Sequence, residues 1–431
     1  MTGARRAPVA RASSAVVVAA LVLALAVVTT SAHAATPPTT SAAPATSSPT
    51  PSTATAGATA RGVTATTIKV GGLGQVGRYP GADLGARARF ARANQAGGVN
   101  GRTFDYVGMR DDGGVGTNDA QVAAALVQQD QVFAIAPVVT PDLGAAGDLV
   151  AAKVPYFGWA LSSNFCSDWG FSFTGCTYPP GGKSTSNAWG ALVAKVFGAQ
   201  ASGKKVAVVT ENTDSGTYFL TTVTAAVKGA NLQVASSTNP LPIPATGDYD
   251  AMAKAVLTSN GGNAPDGVFV MASYANVVQL RQAMQAAGYT GLYTDTVEYE
   301  PGLVAGSTGV YVYTPTAPVE TQSNAAVAQL VTDVRAIKPD AVIDPSVVAG
   351  YWSADLLVAA VQKAGRTLTP ERLARVTNRK FTYTVPNTVG PVRFPAAHRV
   401  PAPCGALVQS NGTSYSVPVP FTCGKVVPVS G

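Results

Sequence analysis

Residues 63–113 read as one strand, loop, helix, strand unit. Thr67, Ile68 and Val70 mark a short strand that runs into a glycine-rich loop, and Leu84, Ala88 and Ala91 then recur at helical spacing. Gly97-Gly98 stops that helix and Asn100-Gly101 turns the chain into a second strand, 103–109. A helix that joins two strands implies parallel pairing, because antiparallel neighbours need only a tight turn. The chain downstream repeats the unit, so the expected class is α/β.

The loop also spells G-x-G-x-x-G with Gly72, Gly74 and Gly77. A dinucleotide site requires the helix to open at the third glycine. Here Arg78, Tyr79 and Pro80 intervene, Pro80 disfavours helical geometry at Tyr79, and the first good helical position lies near Ala82. The glycines therefore read as a sharp turn at the carboxyl end of a strand, the edge at which open α/β sheets bind ligands. No cofactor is expected.

Arg5, Arg6 and Arg11 precede an apolar run over 15–28, and Ala32-His33-Ala34 follows as a cleavage site, which together read as a secretory signal peptide over 1–34. Residues 35–62 are mostly Ala, Thr, Pro and Ser, a linker composition that cannot bury enough apolar surface to order itself. The formal charge is +7, but removing Arg5, Arg6 and Arg11 from 30 basic residues leaves 27 against 23 acidic, without basic runs. That excludes nucleic acid and membrane-surface binding as expected functions. No later segment is apolar for long enough to span a bilayer, and no cysteine precedes Cys166, so the mature protein is expected to be exported to the periplasm, cell envelope or medium, unanchored and monomeric.

Four cysteines in an exported chain suggest two disulfides. Local pairing, Cys166 with Cys176 and Cys404 with Cys423, is the simplest arrangement. The rival, a four-cysteine metal site, lacks C-x-x-C spacing, so no metal is expected.

The remainder, 63–431, is too long for one ordinary core and divides into two lobes. In the first, helices over 117–129 and 141–151 alternate with strands at 132–136 and 155–158, giving four parallel strands. A second series starts at KVAVVT, 205–210, and continues with strands at 233–236, 267–271, 291–294 and 309–313. Helical patterns follow at 325–337, 347–364 and 370–377, and Asn411-Gly412 marks a terminal hairpin.

With those residues in view, the chain resembles the type I periplasmic binding proteins, specifically the branched-chain amino-acid (Leu/Ile/Val) receptor family of ABC transporters. The resemblance covers 63–431 and rests on VTATTIKVGGLG, ARFARANQAGGVNGRTFDYVGMRDDGG, VPYFGWALSS, LRQAMQAAGYTG and GPVRFPAAHRVPAPCGALVQ in that order. It implies two doubly wound parallel-sheet lobes joined by three hinge strands. The first lobe would comprise 63–185 and 316–388, the second 186–315 and 389–431. It further implies capture of a small solute, an amino acid or related carboxylate, for delivery to a membrane permease. The alternatives are an extracytoplasmic sensor acting on a separate receptor, or a secreted hydrolase.

An amino acid needs hydroxyls and free N–H groups at its carboxylate and an acid or aromatic face at its ammonium. Thr140, expected just before a helix, and Ser162 and Ser163 after the 155–158 strand are the first-lobe candidates. Asp214 and Ser215 follow KVAVVT, with a helix cap as their competing role. Tyr274 matches a family position that supplies an aromatic wall, and Glu298 lies near the acidic ligand position, with Glu300 as the alternative register. Tyr79 and Trp159 are further aromatics at strand ends. His398 is the one histidine beyond the signal peptide, and G-x-S-x-G is absent, so neither a hydrolase triad nor a metal hydrolase has its parts; no catalytic residue is expected.

Overall fold

The structure, a computed structural model, describes residues 60–429. The expected signal peptide and all but the last residues of the expected linker fall outside them.

The elements of the first series are β1 (Thr67–Gly74), α1 (Ala82–Gln95), β2 (Thr103–Asp111), α2 (Gly116–Ala124), β3 (Ala134–Val139), α3 (Ala146–Ala151), β4 (Tyr156–Gly158) and β5 (Gly170–Ser172). They form a sheet in the order β2-β1-β3-β4-β5, all parallel. Five strands stand where four were expected: β5 lies inside the loop closed by Cys166 and Cys176. Burial explains it, because Phe171 on β5 stacks on Phe157 of β4 with ring centroids 5.0 Å apart.

The second series runs β6 (Ser184–Ser186), α4 (Ala188–Phe197), β7 (Lys205–Glu211), α5 (Asp214–Lys228), β8 (Gln233–Leu241), α6 (Tyr249–Leu257), β9 (Gly267–Met271), α7 (Tyr274–Ala286), β10 (Leu292–Asp295) and β11 (Tyr311–Thr314). The chain then adds α8 (Ala325–Ile337), α9 (Pro345–Ala364), α10 (Pro370–Thr377), and strands β12 (Thr382–Val385), β13 (Val389–Arg393), β14 (Cys404–Ser410), β15 (Tyr415–Cys423) and β16 (Val426–Pro428). The second sheet has the order β15-β14-β11-β10-β9-β7-β8, parallel except for the β14-β15 hairpin, which pairs antiparallel beside β11. The mixed α/β architecture with two large sheets is the one expected, and β12-β13 and β6-β16 add two small two-stranded sheets.

Three returning helices belong to the first core. The α9 helix is capped by Asp344, whose carboxylate accepts from the Val347 N–H at 2.9 Å, with Pro345 in its first turn. Its small residues admit α1 closely: a side chain at Gly85 would strike the Val347 carbonyl, and one at Gly350 the Ala82 carbonyl. Val389, Val392, Phe394 and Ala397 pack in this same core. The last crossing therefore falls between Ala402, which still packs on the first core, and Cys404, which opens β14. The expected boundary at 388 is corrected by these apolar side chains, which the β12-β13 hairpin carries onto the first lobe.

Candidate functional site

The three crossings lie together. The Ala402 N–H donates to the Thr174 carbonyl at 2.7 Å, Gly175 bridges Pro401, and the Tyr313 hydroxyl donates to the Cys404 carbonyl at 3.0 Å. Beside them is a narrow recess of about 20 Å³, walled by Trp159 and Phe173 from the first lobe, Tyr299 from the second, Thr316 on the second crossing and Val348 of α9. A wider groove of about 240 Å³ shares Tyr299, Val319 and Pro345 with it and runs out to Glu320, Ile343 and Tyr415. Aromatic rings line the first-lobe side in sequence: Tyr79 meets Trp159 edge-on at 6.3 Å, and Trp159 lies 6.4 Å from Phe173.

One ion pair joins the lobes at this place. Arg78, in the loop after β1, stands 3.7 Å from Glu300, in the loop after β10, with side chains 43% and 24% exposed. The guanidinium also lies 5.4 Å from the centre of the Tyr79 ring. Burial and the neighbouring Asp344 push the Glu300 carboxyl up to about 7, against the opposing pull of Arg78. The loop itself is held by Tyr415, whose hydroxyl donates to the carbonyls of Glu298 at 2.6 Å and Glu300 at 2.9 Å.

The sequence candidates divide. Trp159 lines the recess and Tyr79 abuts it. Thr140 follows β3 directly, but the next helix opens only at Ala146, so no helical N–H groups follow it. Its hydroxyl instead donates to the Asp142 carbonyl at 3.3 Å. Ser162 caps a three-residue 3-10 turn, Ser163–Phe165, by accepting from the Asn164 N–H at 3.2 Å, and Ser163 is half-buried within that turn. Asp214 and Ser215 are exposed at the start of α5, and the cap is Thr213, which accepts from the Gly216 N–H at 2.9 Å. Tyr274 opens α7 and is 41% exposed. Glu298, expected at an ammonium, is 1% exposed and paired through Oε1 with Arg281 at 3.1 Å inside the second lobe, while its Oε2 is buried without a hydrogen-bond partner.

Arg78, Tyr299 and Val348 escaped the sequence reading. Arg78 adjoins Tyr79 in the glycine-rich loop, so its position at a strand end was a usable signal. Val348 had none, because it reaches the recess only when α9 returns to the first core. Tyr299 is fixed by contacts with distant residues: its hydroxyl donates to Glu320 at 2.6 Å and accepts from the Val319 N–H at 3.1 Å.

Other acids at the strand ends of the second lobe accept hydrogen bonds, although Asp295 Oδ2 is buried without a partner. Glu211 accepts from the Ser273 N–H at 2.7 Å and the Asn276 amide at 2.9 Å, and Asp295 from the N–H groups of Val297 and Glu298 at 2.8 and 2.9 Å. His398 is buried against Phe171 and Phe394 with its Nε2 2.6 Å from the Asn378 side-chain oxygen, and burial lowers its pKa. Among the described residues no group of three or more His, Cys, Asp or Glu is placed to hold a metal ion, and no helix is long and apolar enough to cross a membrane.

Known structures share this architecture. A fatty acid ABC transporter substrate-binding protein from Thermomonospora curvata is 19% identical, with 85% of this chain and 95% of that one covered, at a TM-score of 0.63. A solute binding protein of an ABC transporter from R. palustris, in complex with 4-hydroxybenzoate, is 19% identical over 83% of this chain and 97% of that one, at 0.62. The branched-chain amino acid transporter substrate binding protein from Streptococcus pneumoniae, in complex with isoleucine, is 16% identical over 83% and 100%, at 0.57. No curated protein sequence matches the chain. The periplasmic binding protein family matches residues 67–414, which include the whole first sheet, the second sheet apart from its edge strand β15, and all three crossings. With most of its length matched, the chain belongs to the periplasmic binding protein family.

Proposed function

We propose that the protein is exported, captures one small carboxylate-bearing solute, an amino acid or a related acid, between its two lobes, and delivers it to an ABC permease without chemistry on it. The observation that carries this reading is the groove of about 240 Å³ that shares Tyr299, Val319 and Pro345 with the apolar recess beside three adjacent crossings and is walled, like it, by residues of both lobes. A solute there touches both lobes at once, and only such bridging gives it a higher affinity for the closed form than for the open one. The likeness to substrate-binding proteins of ABC transporters that are named for fatty acid or hold 4-hydroxybenzoate or isoleucine supports a small acid as the cargo. The absence of chemistry is supported by His398, the remaining histidine of the mature chain, which is buried among aromatic rings and bonded to Asn378.

Thermal shift against a broad panel of amino acids and small organic acids tests the proposal. A ligand of the native state raises the melting temperature by mass action. Saturation with that ligand should also reduce the radius of gyration in small-angle scattering. A flat response across the whole panel would remove small-acid capture as the function.

A further inference from the structure

Glu300 sits on one lobe and takes its surroundings from the other. It belongs to the loop after β10 in the second lobe, where Tyr415 holds its backbone, accepting from the Glu300 N–H at 3.2 Å and donating to the Glu300 carbonyl at 2.9 Å. Glu298 in the same loop is turned away to Arg281. The groups that face the Glu300 carboxyl come from the first lobe: Arg78 at 3.7 Å and Tyr79 from the loop after β1, and Asp344 from the start of α9. Asp344 is fixed there by its own bonds, accepting from the Ser346 hydroxyl at 2.6 Å and the Val347 N–H at 2.9 Å. A second link runs beside this one, from the Tyr299 hydroxyl to Glu320 and the Val319 N–H just past the second crossing.

Closing the lobes therefore takes the Glu300 carboxylate out of water and sets it near a second carboxylate, in exchange for one long contact with a half-exposed guanidinium. The balance is unfavourable to the charge: burial and then Asp344 outweigh the pull of Arg78 and hold the Glu300 carboxyl at about 7. With the lobes apart, Arg78 and Asp344 move off and Glu300 returns to water, where a carboxyl has its ordinary, lower value. The shut form thus keeps a proton that the open form releases. By linkage, the contribution to closure is full below the ordinary carboxylate value and is lost as pH rises through about 7. An ion pair alone would give the opposite sign.

We propose that the seam between the lobes is a proton-controlled latch: Glu300 takes up a proton as the lobes close, so that mildly acidic solution holds them shut and rising pH lets them part. This rests on the two-lobe capture reading above and adds a control that works without any solute.

Amide exchange and small-angle scattering on the mature protein, with no solute added, test it from about pH 5.5 to about pH 8. The Val319 N–H, bonded across the seam to Tyr299, reads opening where the shut form dominates, and the radius of gyration reads it where the open form does. After correction for the intrinsic exchange rate, Val319 protection should fall about 10-fold over this range, or the radius should rise. Amides of α9, buried in the first core, report global unfolding separately. Glu300→Gln, which stands for the protonated acid, should abolish the change and keep the lobes as they are at the acid end. Arg78→Met should move the midpoint to higher pH, and Asp344→Asn, which retains a helix cap, should move it to lower pH. No change with pH, a change that survives Glu300→Gln, or lobes that part in acid overturns the latch. Each of these leaves solute capture standing, since the ligand panel decides that reading by itself.

Discussion

Arg281 and Glu298 form an ion pair in the interior of the second lobe, 3.1 Å apart with side chains 7% and 1% exposed. The same guanidinium donates to the Gly306 carbonyl at 2.8 Å, so α7 is bolted to both ends of the loop that carries Tyr299 and Glu300. The pair thus braces the second-lobe wall of the recess while lining neither the recess nor the groove.

Glu298→Gln should accordingly act on stability. It leaves a buried guanidinium without its counter-charge, a loss expected to cost about 3 kcal/mol or more. Chemical denaturation should show a lower midpoint with an unchanged slope. Loss of solute affinity without loss of stability would instead return Glu298 to the role of ligand contact.

Close approach of α1 to α9 makes the first core sensitive to a single methyl. In Gly350→Ala the new Cβ would overlap the Ala82 carbonyl, and backbone cannot swing aside as a flexible side chain can. A destabilisation of about 2 to 3 kcal/mol is expected from overpacking alone, read as a lowered denaturation midpoint. Gly147→Ala, on an exposed helical position where nothing lies within reach of an added Cβ, should hold or raise the midpoint, by up to about 1 kcal/mol.

Stability should favour mildly acidic solution. Burial and then Glu298 push Asp295 up to about 7, and burial and then Asp112 push Asp119 up to about 7. With folded pKa values above the unfolded ones, both carboxyls contribute stability fully below the ordinary carboxylate pKa, and that contribution is lost as pH rises through about 7. His398 acts oppositely: its lowered pKa means the unfolded chain binds the proton first, so its contribution falls as pH drops below the ordinary imidazole value. Three carboxyls, Glu300 being likewise held at about 7, against one imidazole should give a higher melting temperature at about pH 5.5 than at about pH 8. Asp295→Asn should narrow the difference, and a higher melting temperature at the alkaline end would contradict the sign.

Each disulfide closes a local loop. Cys166 and Cys176 enclose β5, and Cys404 and Cys423 are directly opposed residues of the β14-β15 hairpin. In the chain-entropy view each contributes roughly 3 kcal/mol. Non-reducing peptide mapping should recover these two pairs, and replacing Cys404 and Cys423 together by serine should lower the denaturation midpoint while both sheets persist by circular dichroism.

The alternation of short apolar strands with helical spacing determined by itself that this chain is α/β, because period two and period 3.6 segments in strict succession can pair only through crossovers. Strand 267–271 and helices 325–337 and 370–377 were legible to the residue, each bounded by strong local signals such as the Thr369-Pro370 start. Cysteine spacing likewise suggested the local pairing. The tertiary structure decided the rest. It placed α9 on α1, which brought Val348 to the recess, and assigned β12 and β13 to the first lobe through Val389, Val392 and Phe394. It also separated two neighbouring acids that sequence could not tell apart: Glu298 turns inward to Arg281, while Glu300 faces Arg78 across the lobes. Local sequence sets dihedral preference and periodicity, but the partner of a charge depends on which distant segment the packing brings against it.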